Sequence, residues 1–239
     1  MISEFFIGFS ILISYFVVCV ICLLLIRKFF NVQTERFRKT LHIVLLFSLL
    51  VLLYAFKTWW ISVLVSVVFA IIVFPILAFG ERFKGYSELL TERKKGEIKQ
   101  SLILVFGMFA AIICICWGWL NDKMLALACI YAWGFGDGVA ALVGKRFGKN
   151  FLEGKLIEGR KSVEGTAAMF VVSFLSVIII LLIRGDLPWH GYIPISIITA
   201  AVCAVVELYT LNGYDTVTCP FAAAATMIPL VWLWGGMMI

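Results

Sequence analysis

The chain alternates between long apolar runs and short segments that carry nearly all of its charge. Apolar stretches occupy residues 5–26, 41–56, 59–80, 100–120, 123–143, 165–183, 193–207 and 219–238. An α-helix needs roughly 20 such residues to cross about 30 Å of hydrocarbon. The pattern therefore predicts an all-α, polytopic membrane helix bundle of about eight transmembrane helices, with 1–239 as a single integral membrane domain. The second and seventh runs are short; if one re-enters instead of crossing, seven spans remain. The first run has no positive segment before it and is longer than a signal-peptide core, so it reads as a retained helix. Pro75 and Pro229 fall inside runs and predict kinks that neighbouring helices accommodate. No internal repeat, low-complexity tract or domain linker interrupts the pattern.

The connecting segments orient the bundle. With eight spans, seventeen of the twenty lysines and arginines fall on one side, in segments 27–40, 81–99 and 144–164. Lys57, Lys123 and Arg184 are left for the other side. The excess of Lys and Arg in short loops predicts that these segments, together with 208–218, are cytoplasmic and that both termini are outside. Trp59, Trp60, Trp117, Trp119, Trp189, Trp232 and Trp234 mark the opposite boundary, as interfacial aromatics do.

Composition agrees and narrows the class. The chain is 63% hydrophobic and only 14% charged, against roughly 25% charge in soluble domains. The net charge of +6 sits in short loops between apolar runs, so it reads as a topology signal and an anion site, not as a nucleic-acid surface. The seven cysteines lie in or beside apolar runs. Even Cys19-x-x-Cys22 has no polar neighbour to lower a thiol pKa, so all seven read as packing residues.

Candidate chemistry centres on residues 131–166. Asp137 stands in an apolar run among Gly134, Gly136 and Gly138, and a carboxylate at membrane depth marks a functional site by default. Glu164 opens the sixth run, Glu207 closes the seventh and Asp215 precedes the eighth. Glu97 and His42 open the fourth and second. All six project toward the basic face. Several carboxylates beside Lys145, Arg146, Arg160 and Lys161 suit a nucleotide with its Mg²⁺, an ion that takes oxygen ligands and bridges to phosphates. Ser162 and Glu164 sit where a helix N-terminus could bind phosphate. Structural readings stand beside each of these: a small-residue helix contact for the glycines, a dipole complement for Glu164, orientation or anionic-lipid attraction for the basic run. Likewise 81–99 reads as a surface amphipathic helix and His42 as an interfacial histidine. Phosphate-loop and dinucleotide signatures fail, because Arg146 replaces the expected hydroxyl residue and the glycine spacing is wrong.

The motifs themselves resemble a known group. Gly136-Asp137, Gly144-Lys145-Arg146-Phe147-Gly148, Arg160-Lys161-Ser162 and Glu164-Gly165-Thr166 are similar to the CTP-dependent lipid kinases: dolichol, phytol and CTP-dependent diacylglycerol kinases. Arg38-Lys39-Thr40-Leu41-His42, Arg93-Lys94-Lys95-Gly96-Glu97 and Glu207 with Gly213-Tyr214-Asp215-Thr216-Val217-Thr218-Cys219-Pro220 extend the resemblance over residues 38–220. Thr216 stands where the family usually has asparagine. The resemblance implies transfer of the CTP γ-phosphate to a lipid hydroxyl at the cytoplasmic face, with Mg²⁺ as cofactor and CTP and a membrane lipid alcohol as partners. Neither nucleic acid nor a homo-oligomer is called for. Asp137, Glu164 and Lys161 become the candidate catalytic residues. Asp137, Glu207 and Asp215 become the candidate metal ligands, with Asp137 holding Mg²⁺ or positioning the hydroxyl. Gly136, Gly138, Lys145, Arg146, Arg160, Lys161, Ser162, Thr166, Arg38 and Lys39 become candidates for the nucleotide and its phosphates. His42, Glu97 and Thr218 complete the set. A phosphatidate cytidylyltransferase, making CDP-diacylglycerol from CTP, is the related alternative, although only His190-Gly191 echoes that family's His-Gly-Gly element. A non-enzymatic transporter or lipid-binding protein is the alternative from another class.

Overall fold

The computed structural model describes residues 1–30, 34–83, 86, 96–152, 154, 157, 161–211 and 213–235. They form two compact units, Met1–Cys114 and Ile115–Ile239. Eight helices among the described residues are long and apolar enough to cross a membrane.

The first unit holds α1 (Ile2–Phe29), α2 (Thr34–Tyr54), α3 (Trp59–Gly80) and α4 (Glu97–Ile112). Its centre is aromatic: Phe69 lies 4.9 Å from Phe16 and 4.8 Å from Phe106, centroid to centroid. Hydroxyls buried in this apolar setting need acceptors. Accordingly Ser62 donates to the Leu52 carbonyl (2.6 Å) and Ser66 to that of Phe106 (2.9 Å). The α2–α3 turn is tied to the start of α1, where Glu4 accepts from the backbone N–H groups of Lys57 and Thr58. Beyond α4 the chain continues as a π-helical stretch, Ile113–Trp119, in which the boundary between the units falls.

In the second unit, α5 (Lys123–Phe147) packs against α6 (Val163–Arg184), α7 (Trp189–Tyr209) and α8 (Asp215–Leu233). It is the most enclosed of the eight helices, buried from Leu125 to Gly134 without a break. A two-stranded antiparallel ribbon, β1 (Phe151–Leu152) with β2 (Lys161–Ser162), lies in the connection from α5 to α6.

Every span is present, but several helices begin or end beyond the apolar stretches that announce them. The second and seventh runs grow to 21 residues each as α2 and α7, long enough to cross. Because α2 begins at Thr34, residues Arg36, Arg38, Lys39 and His42 are helical. Lys145 and Arg146 fall in the last turn of α5, where cations complement the helix dipole. The helical hydrogen-bond ladder needs no apolar side chains, so it continues into polar turns where hydropathy falls. Pro75, Pro194, Pro220 and Pro229 all lie inside continuous helices.

Candidate functional site

At the C-terminal end of α5 three glycines make room for one serine. Ser162 caps α6: its Oγ accepts from the Gly165 N–H at 3.1 Å, and the residue is 3% exposed. A Cβ on Gly144, Gly148 or Gly165 would stand 3.2, 2.9 or 3.3 Å from that Oγ. Gly144, Gly148 and Gly165 thus serve the close approach of α5 to the start of α6, with Ser162 in the gap. Glu164 secures the same junction, its Oε1 accepting from the N–H and side-chain amide of Asn150 (3.2 and 3.1 Å). Its Oε2 is buried and has no hydrogen-bond partner among the described residues.

Lys161, at the end of the ribbon, reaches the end of α7. Its Nζ pairs with Glu207 Oε1 at 2.9 Å and also donates to the Glu207 carbonyl. At the first turn of α8, Asp215 Oδ2 accepts from the indole N–H of Trp133 at 3.2 Å. The carboxylates of Asp137, Glu207 and Asp215, from three helices, all act electrostatically on the buried thiol of Cys219. The indole contact ties the start of α8 to α5, and the lysine ties β2 to the end of α7.

The glycines beside Asp137 have different surroundings. A Cβ at Gly136 would overlap Met169 Sδ and come within 2.7 Å of Ser173 Oγ, so this glycine is occupied by the α5–α6 contact. Gly138 is buried, yet a Cβ there would meet nothing within 4 Å. Open space thus adjoins the half-buried Asp137.

The remaining candidates are dispersed. Lys145 and Arg146 are exposed, with the Arg146 guanidinium 5.2 Å from the centroid of the Phe147 ring. Thr166 is half-buried in the first turn of α6, and the exposed Thr218 shares a hydrogen bond with Thr210 at 2.9 Å. Arg160 and Lys155 lie outside the described residues, as do Arg93, Lys94 and Lys95 and most of the 81–99 amphipathic-helix reading. Within the first unit, Arg38 is held by Glu35 (2.6 Å) and Glu97 (3.4 Å), Lys39 is 6% exposed, and His42 is half-buried. Two contacts of the candidate residues escape a reading by residue type: the Asn150 anchor of Glu164 and the indole donor of Trp133. The only signal for Trp133 in the sequence is its spacing, four residues before Asp137, which places both on one helix face.

Among the described residues no three His, Cys, Asp or Glu side chains approach closely enough to form a ready-made metal cage. A phosphate-bridged Mg²⁺ does not need one, since it keeps several waters and takes one or two protein carboxylates. The oxygen donors near Cys219 and the open space at Gly138 fit that mode of binding.

No protein-family model matches the chain. Over 111 residues it is 32% identical to the phytol kinase of Synechocystis sp., a stretch that covers 45% of this chain and 44% of that protein. The chain thus matches less than half the length of that relative. Eight membrane-length helices fit a multi-pass membrane protein.

Proposed function

We propose that the chain is a membrane lipid kinase that moves the γ-phosphoryl group of CTP to the hydroxyl of a lipid alcohol in a Mg²⁺-dependent reaction. The observation that carries this reading is the pair of contacts that join the acid-bearing helices of the second unit, Trp133 on Asp215 and Lys161 on Glu207. Similarity to a phytol kinase supports it and puts phytol-like alcohols ahead of polyprenols and diacylglycerol. In the transfer, the lipid oxygen forms a bond to the γ-phosphorus as the bond to the β-phosphate oxygen breaks. The products are lipid monophosphate, CDP and the proton of the hydroxyl.

Phosphoryl transfer requires positioning and charge neutralisation, not a covalent nucleophile. Asp137 stands beside open space on the most enclosed helix, placed to receive a lipid hydroxyl or to share the cation. Lys161 supplies positive charge among the carboxylates, and the Ser162 cap with the Asn150–Glu164 bonds holds that lysine's ribbon against α6. Mg²⁺ held by one or two of Asp137, Glu207 and Asp215 would neutralise charge developing on the triphosphate.

Purified protein supplied with CTP labelled at either the α or the γ position, Mg²⁺ and a lipid panel tests the reading. Label from the γ position alone should enter the lipid. Label from the α position, with release of pyrophosphate, would mark a cytidylyltransferase instead. Substrate movement across vesicles with no nucleotide consumed would mark a transporter.

A further inference from the structure

A buried indole N–H needs an acceptor, and in this fold that acceptor is a carboxylate. Trp133 is 1% exposed, and its Nε1 donates to Asp215 Oδ2 at 3.2 Å. Indole is a donor only, so its demand could be met by any neutral carbonyl. Here it is met by the half-buried carboxylate at the start of α8. The charge-assisted bond fixes one oxygen of Asp215 from a side chain that close packing holds still.

The placement of the partners is also specific. Trp133 and Asp137 stand four residues apart on α5 and therefore share a face, one turn apart. Asp215 and Cys219 are related in the same way on α8. The two pairs are joined, because Trp133 reaches from α5 to Asp215 on α8.

We infer that Trp133 is a positioning residue: its indole N–H holds the Asp215 carboxylate in the orientation in which Asp215 and Asp137 together receive the nucleotide's divalent cation. This rests on the kinase reading above. Partners that orient ligating carboxylates typically change metal affinity about 10–100-fold when removed.

The test uses the full chain in detergent with CTP, and Mn²⁺ as the probe ion. Bound Mn²⁺ is read from loss of the free-ion paramagnetic resonance signal, and thermal unfolding without metal is recorded in parallel. Trp133→Phe removes the donor. Site-specific β-(3-benzothienyl)alanine at position 133 removes it while keeping the ring volume, and so decides the matter if the phenylalanine variant does not fold. Both should weaken Mn²⁺ binding at least tenfold, as should Asp215→Asn. Adding Trp133→Phe to Asp215→Asn should cost less than a further twofold, because the indole would have nothing left to orient. Mn²⁺ affinity within twofold of wild type in the folded benzothienyl variant, or losses that multiply in the double variant, would overturn the inference. Wild-type protein that transfers γ-label yet binds Mn²⁺ regardless of position 133 sinks this inference alone. Wild-type protein that neither transfers label nor binds the ion sinks the kinase reading beneath it.

Discussion

The two ends of α5 both carry charges that link helices, yet they are built for different ends. At the start of the helix, Asp122 uses both oxygens: Oδ1 caps the helix through the Leu125 N–H and Oδ2 takes Arg184 Nε, each at 2.8 Å. Arg184, 9% exposed at its side chain, also binds Asp186 at 2.9 Å, and Lys123 sits 3.8 Å from the centroid of the Trp117 ring. There Arg184 bridges two acids, and Asp122 closes the first turn of α5. Toward the other end, Asp137, Glu207 and Asp215 come from three helices, Lys161 pairs with Glu207, Trp133 donates to Asp215, and a Cβ on Gly138 would meet open space. Buried charge is costly unless matched within the fold. The first end reads as a clamp between helices, and the second, with open space at Gly138, as the end with room for a ligand.

Substitutions at the two ends should separate these roles. The largest effect is expected from Asp137→Asn, which should lower γ-label transfer about 10²–10³-fold, the loss typical for a group that stabilises transition-state charge, without changing the unfolding midpoint. Unchanged activity would remove Asp137 from the mechanism. At the clamp, Asp122→Ala should destabilise by about 3 kcal/mol, the lower end for breaking a buried pair, because Asp186 remains on Arg184. Denaturant titration in detergent would measure it, and the fraction still folded should turn over as wild type does.

The glycine pair gives a finer contrast. Gly136→Ala should cost about 1–3 kcal/mol, since a Cβ there overlaps Met169 and crowds Ser173. Gly138→Ala should leave thermal stability intact or raise it by up to about 1 kcal/mol, as Gly to Ala in a helix does, while reducing transfer by narrowing the open space. Equal effects at both positions would erase the distinction drawn between them. Ser162→Ala should cost about 1 kcal/mol, the usual value of a lost helix cap, seen as a lower unfolding midpoint.

The smallest effect is one of pH. Burial lifts the Asp186 carboxyl above its usual range, against the pull of Arg184. The folded state then binds this proton more tightly than the unfolded state. Stability contributed here should rise as pH falls through the folded-state value and level off below about 4, the unfolded value. Comparing unfolding midpoints across pH, Asp186→Asn should lack that increment.

Much of the architecture is legible in the hydropathy pattern, because a helix in lipid must satisfy its own backbone and show apolar side chains outward. That requirement writes each span into a contiguous run, and all eight runs became helices. Helix ends were less legible. Arg36, Arg38 and Lys39, or Lys145 and Arg146, read equally well as loop or as polar turn, and only the backbone ladder distinguishes the two. The site was legible as a set of acids toward one end of their spans. Its internal pairings were not: the sequence does not say that Lys161 meets Glu207 or that Trp133 meets Asp215. The motif glycines show the same gap, since Gly136 and Gly138 look alike in the sequence yet face a packed helix and open space.

By itself, then, the order of residues determined how many helices form, where along each helix an acid falls and which side chains share a helix face. These follow from the rise and turn of one helix in an apolar solvent. Only the tertiary structure decided which faces meet: α5 packed against three helices of its unit, Ser162 lodged among three glycines, and Asp215 reached by an indole. Such pairings depend on the shapes that neighbouring helices present to one another, and a periodicity read along one helix holds no information about its neighbours.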